Sequence, residues 1–121
     1  MKKKAVVVDD NANNLMLEKD LLEVAGFEVF EAVNGADGIA MIQKEKPDII
    51  IMDVRLPDML GTEAINILRQ DKEISEIPVV FVTASVLEKE RKEIVEIPNS
   101  GYMSKPINTR TFANEISKFI K

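Results

Sequence analysis

The sequence predicts a doubly wound α/β fold, a five-stranded parallel sheet with five helices divided between its two faces. Three observations carry that expectation. Short β-branched apolar runs alternate five times with segments of helical period. The third run, Ile49-Ile50-Ile51-Met52, has no polar alternation, as befits a central strand covered on both sides. A length of 121 residues leaves room for one domain, residues 1–121, so all five units must share one sheet.

Lys4 to Val8 reads as a buried strand that runs out into Asp9-Asp10. Asn11 to Asn14 offers several capping amides, and Leu17, Leu21 and Val24 then recur at helical spacing until Gly26 stops the helix. Glu28 to Ala32 is a short second strand, and Asn34-Gly35 turns the chain into a helix that ends before Pro47. Gly38 inside that helix costs about 1 kcal/mol relative to alanine, which points to close packing on the sheet.

Asp48 to Asp53 is the third strand, followed by a loop from Val54 to Gly61 and a helix whose apolar face is Ala64, Ile65 and Leu68. Pro78 to Thr83 is the fourth strand. Ser85 and Glu88 have capping-box spacing at the start of the fourth helix, which Pro98-Asn99 ends. Gly101 to Ser104 is the fifth strand, and Phe112, Ile116 and Phe119 face the last helix inward after a cap at Asn108.

Right-handed crossovers between parallel strands place helices on both faces. The order 2-1-3-4-5, flavodoxin-like, suits this length and number of units, and it makes the first and third strands neighbours. Their carboxyl ends form the switch point where such sheets place their sites.

Composition narrows the chemistry. There is no cysteine and no histidine, which removes disulfides, thiolate nucleophiles, Cys/His zinc sites and any Ser-His-Asp arrangement. A net charge of −5 argues against a nucleic-acid footprint, which needs a concentrated basic face. Lys2-Lys3-Lys4 is too short to reverse that balance. The apolar stretch behind it is far below the length of a membrane span or a signal segment, so a cytoplasmic, soluble protein is expected.

The residues at the strand ends are Asp9, Asp10, Asp53, Thr83 and Lys105, all on one edge of the expected sheet. Singly, each has an ordinary reading as a polar strand end, a β-branched strand residue or a solvated lysine. Together they are harder to dismiss. Three converging carboxylates repel one another, which either raises a pKa or recruits a cation, and hard oxygen donors favour Mg²⁺ (or Mn²⁺). A lysine and a hydroxyl beside such a pocket can neutralise and hydrogen-bond phosphoryl oxygens. Phosphoryl transfer to a carboxylate needs little more. No P-loop pattern is present, which disfavours a nucleotide as the phosphate source.

Over its whole length the chain resembles bacterial two-component response-regulator receiver domains. The resemblance rests on VVVDDN at Val6 to Asn11, DIIIMDVRLPDMLG at Asp48 to Gly61, VVFVTAS at Val79 to Ser85 and GYMSKPI at Gly101 to Ile107. It implies that Asp53 is the phosphoacceptor. It implies metal ligation by Asp10 directly, Asp9 through water, Asp53, and the Arg55 backbone carbonyl. Thr83, Ala84 and Lys105 match the phosphate-binding positions, Thr83 and Tyr102 the switch pair, and Pro106 a turn whose preceding peptide is cis. Pro98 departs from the glycine common before the fifth strand, while Arg55 and Ser85 occupy positions where the family tunes access of hydrolytic water.

The function so implied is two-component signal transduction. A histidine kinase or histidine phosphotransfer protein would phosphorylate Asp53 and alter the surface of the fourth helix, fifth strand and fifth helix. A downstream effector protein or domain would read that surface, and a homodimer through it is a further implied arrangement. No direct nucleic-acid or membrane partner is expected, and no enzymatic turnover beyond the chain's own phosphorylation and dephosphorylation. Two other readings stand beside it. A degenerate receiver would bind partners without phosphorylation. A phosphate-ester hydrolase generally needs an acid/base group close to its nucleophile, commonly an acid two residues after it, where this chain has Arg55.

Overall fold

The computed structural model describes residues 2–84 and 87–120. Five strands, β1 (Lys4–Val8), β2 (Glu28–Ala32), β3 (Ile49–Met52), β4 (Val79–Thr83) and β5 (Ser100–Ser104), alternate with five helices. These are α1 (Ala12–Val24), α2 (Gly35–Glu45), α3 (Gly61–Leu68), α4 (Glu88–Glu96) and α5 (Phe112–Ser117). The sheet order is β2-β1-β3-β4-β5 and every pairing is parallel, as the sequence predicts.

The period of two along each strand divides the core. Val6, Val8, Ile50, Met52, Val79 and Phe81 face α2, α3 and α4 through Ile42, Ala64, Ile65, Leu68 and Ile94. Ala5, Val7, Ile49, Ile51, Val80 and Val82 face α1 and α5 through Leu15, Leu22, Phe112 and Ile116. All four residues of β3 are buried, so the unbroken apolar run is explained by cover on both sides. Gly38 packs where a Cβ would come within 2.9 Å of a Val8 methyl, which accounts for a glycine inside α2.

Four local expectations change. Leu17 and Val24 do not face the sheet: they are 39% and 88% exposed, and Leu21 is only partly buried. The buried face of α1 is Leu15, Glu18 and Leu22, because the Asn11 cap on the Asn14 N–H fixes the helix's rotation as it leaves β1. Ser85 lies outside the described residues. The N-cap of α4 is Leu87, whose N–H donates to Glu90 three residues on, so Glu90 and not Glu88 supplies the side chain. Asn108 caps a turn by accepting from the Arg110 N–H, and regular α5 begins at Phe112. β5 starts one residue earlier than Gly101.

The link from α4 to β5, where Pro98 stands, is tied down from outside. Arg69, at the end of α3, donates to the carbonyls of Ile74, Ile77 and Pro98. Asn99 takes a left-handed φ of 57°, a conformation asparagine tolerates well.

Candidate phosphoacceptor site

The site is assembled by ladder hydrogen bonds that continue past the strand ends. The Asp9 N–H donates to the Ala32 carbonyl and the Asp53 N–H to the Val8 carbonyl, so both acids stay in register beside each other. The Lys105 N–H donates to the Thr83 carbonyl and brings the end of β5 against the end of β4. The peptide between Lys105 and Pro106 is cis.

Lys105 then reaches across the edge of the sheet. Its Nζ lies 2.8 Å from Asp9 Oδ2 and 2.9 Å from Asp53 Oδ2. Asp9 Oδ1 accepts from the Asn11 N–H, so both oxygens of that carboxylate are held. Burial opposes the charge of Lys105, but its hydrogen bonds to Asp9 and Asp53 and the charges of those groups outweigh it. Its pKa therefore lies above the ordinary lysine value.

Asp9, Asp10 and Asp53 each offer a carboxylate oxygen, all within 4.8 Å of one another. Asp9 is buried, Asp53 is nearly so, and Asp10 is exposed. Three acid oxygens with no imidazole or thiolate in the chain suit a hard, oxygen-seeking divalent cation such as Mg²⁺.

The β3–α3 loop fixes Asp53 from the other side. The Arg55 N–H donates to Asp53 Oδ1 at 3.3 Å, and the Gly61 N–H donates to the Val54 carbonyl. A Cβ on Gly61 would fall on the Asp53 carbonyl oxygen, so this turn requires glycine. Asp58 fastens the loop to α2 by accepting from the Gly35 and Ala36 N–H groups. Those two bonds hold its carboxyl below the usual aspartate range.

The residues singled out in the sequence thus fall into two groups. Asp9, Asp10, Asp53 and Lys105 are brought together, with the backbone of Arg55 beside them. Thr83 is buried at the end of the next strand, and Ala84 follows it, exposed. Tyr102 lies one strand further, paired with Phe81 in the ladder and 38% exposed, outside the acidic cluster.

Two glutamates belong to this region that sequence reasoning passed over. Glu18, on the sheet side of α1, is 2% exposed and lies beside Asp9. Burial, then the charge of Asp9, push its carboxyl up from 4.5 to about 8, with Lys105 opposing. Glu90, in the first turn of α4, is 7% exposed and accepts from Arg55 Nη2 at 2.9 Å and from the Leu87 N–H at 3.1 Å, both on Oε1. The available signal for Glu18 was its spacing, three residues after Leu15 and four before Leu22.

The chain is similar to known proteins. The profile of the response regulator receiver domain matches residues 5–117. The polar-differentiation response regulator DivK of Brucella anthropi is 33% identical over 120 residues, covering 99% of this chain and 98% of its own. The chemotaxis response regulator CheY4 of Vibrio cholerae superposes with a TM-score of 0.91 at 27% identity, covering 99% of this chain and 100% of that one. The receiver domain of the sensor histidine kinase PA1611 of Pseudomonas aeruginosa PAO1, described with a magnesium ion in its active-site cleft, gives a TM-score of 0.87 at 22% identity. Coverage there is 98% of each chain.

Proposed function

The chain belongs to the response-regulator receiver family, and on that premise we propose that it is a phosphorylation switch whose acceptor is Asp53. One observation supports this most: Lys105 bridges Asp9 and Asp53 at the mouth of a three-carboxylate cluster. That arrangement puts a carboxylate that can act as nucleophile, acid oxygens that suit a cation and a lysine ammonium at one sheet edge.

An Asp53 carboxylate oxygen attacks phosphorus in the phosphohistidine of a kinase or phosphotransfer protein. The P–N bond breaks, and the released imidazole takes up a proton. Asp9, Asp10, Asp53 and the Arg55 carbonyl would hold Mg²⁺, which supplies charge neutralisation at phosphoryl oxygens when bound. Lys105 leaves Asp53 Oδ2 for a phosphoryl oxygen and so keeps its ion pair as the acceptor changes. The Thr83 hydroxyl and the Ala84 N–H donate to the remaining oxygens. Thr83 moving inward opens space that Tyr102, half-exposed on β5, can follow. The readout is the surface of α4, β5 and α5, offered to an effector in the cytoplasm. Turnover is confined to the chain's own phosphorylation and its reversal.

Intact-mass measurement with phosphoramidate and Mg²⁺ tests the acceptor. The wild-type chain should gain one phosphoryl group and Asp53→Asn none; equal labelling of both would sink the reading. Unchanged effector binding by Asp53→Asn would instead mark a module that works without phosphorylation.

A further inference from the structure

Arg55 belongs to the site through its backbone, yet its side chain points elsewhere. The Nη2 atom lies 2.9 Å from Glu90 Oε1, and that same oxygen accepts the N–H of Leu87, the N-cap of α4. One carboxylate oxygen therefore joins the phosphoacceptor loop to the first turn of α4. The helix has few other anchors: only Glu90 and Ile94 of its nine residues are buried.

We propose that the Arg55 guanidinium is a second phosphoryl-binding cation, held by Glu90 until Asp53 is phosphorylated, and that its transfer to the phosphoryl group releases the first turn of α4. The inference rests on Asp53 being the acceptor.

Three physical points carry it. The Arg55 N–H already donates to Asp53 Oδ1, so a group on that carboxylate arises beside the root of the side chain. A phosphoryl group carries a charge of about −1.5 to −2 against −1 on a carboxylate, and the planar guanidinium fork matches its oxygens in pairs. The Arg55 side chain is 44% exposed, whereas Glu90 is buried. A buried carboxylate that loses its counter-charge is strongly disfavoured there and swings toward water. In doing so it withdraws the acceptor from the Leu87 N–H, and the helix start loosens.

Amide hydrogen exchange of residues 87–91, read with intact mass on the same Mg²⁺-loaded samples before and after phosphoramidate, tests the idea. In the wild-type chain, labelling at Asp53 should speed exchange in that turn by about fivefold or more. Glu90→Gln keeps an oxygen for the Leu87 N–H but needs no counter-charge, so its helix start should stay protected after labelling. Arg55→Gln leaves Glu90 without its cation, so exchange should be fast before labelling and unchanged by it. Two variants fixed in opposite states would establish the exchange of partners. Wild-type labelling without faster exchange, or a wild-type response in Arg55→Gln, would overturn it while leaving Asp53 as acceptor. Absence of wild-type labelling would remove the acceptor reading itself, and this inference with it.

Discussion

Helices α1 and α4 both begin at the carboxyl edge of the sheet, and each buries a glutamate, but the two acids meet opposite surroundings. Glu18 faces other acids: Asp9 and Asp53 are near, and the cation that opposes them, Lys105, is already shared between those two aspartates. Its carboxyl is kept neutral near pH 7. Glu90 instead meets a guanidinium and a helix-start N–H. Burial alone therefore does not decide how a glutamate behaves; its partners do. Glu18 acts as part of the packing under the site, and Glu90 as an ionic tie between the β3–α3 loop and α4.

The strongest way to break this comparison is to titrate Glu18. Its folded pKa is raised above the unfolded value, so the folded state binds more protons between about pH 4.5 and 8. Stability is greatest below that window and falls as pH rises through it, by at most on the order of 5 kcal/mol above pH 8. Urea unfolding without metal should show the decline in wild-type protein. In Glu18→Gln, which cannot ionise, the same curve should be flatter and the chain more stable at pH 8.5. A parallel decline in both would mean that Glu18 is not the neutral acid described.

Removing the cation at the other glutamate should cost less. Arg55→Ala strands Glu90, yet the half-exposed guanidinium is partly screened by water, so a loss of about 1 to 2 kcal/mol is expected at pH 7. Glu90→Gln together with Arg55→Ala should recover part of it, because no unpaired charge remains. Thermal unfolding of the two single variants and the double variant measures the coupling. Strict additivity would dissolve the contrast with Glu18.

The contrast also shows where the sequence is legible. The strand runs, their order and the acids at their ends follow from periodicity and from the chain's entry and exit points, so Asp9, Asp53 and Lys105 could be placed from their positions alone. The side of α1 could not. Leu17, Leu21 and Val24 make as good a stripe as Leu15 and Leu22, and only the rotation set by the Asn11 cap chooses between them. A glutamate interrupts the second stripe, and that glutamate is the residue beside Asp9. Glu90 was hidden differently. Its partner is 35 residues away, and no local pattern joins Arg55 to the start of α4.

Asp58 supplies the third arm, an exposed carboxylate whose partners are backbone N–H groups. It accepts from Gly35 at 2.7 Å and Ala36 at 2.9 Å, at the positive end of α2, and thereby fastens the loop that carries Asp53 and Arg55. Those bonds favour the charged form and hold its pKa below the unfolded value, opposite in sign to Glu18. The stabilisation is therefore fully present above the unfolded pKa near 3.8 and is lost as pH falls through the lower folded value. Solvent exposure makes this the smallest of the three effects. Asp58→Ala should melt below wild type at pH 7, with faster exchange at the Gly35 and Ala36 amides, and the difference in melting temperature should shrink on acidification. A difference that grew toward low pH would mean that the α2 N-terminus is held by something other than this carboxylate.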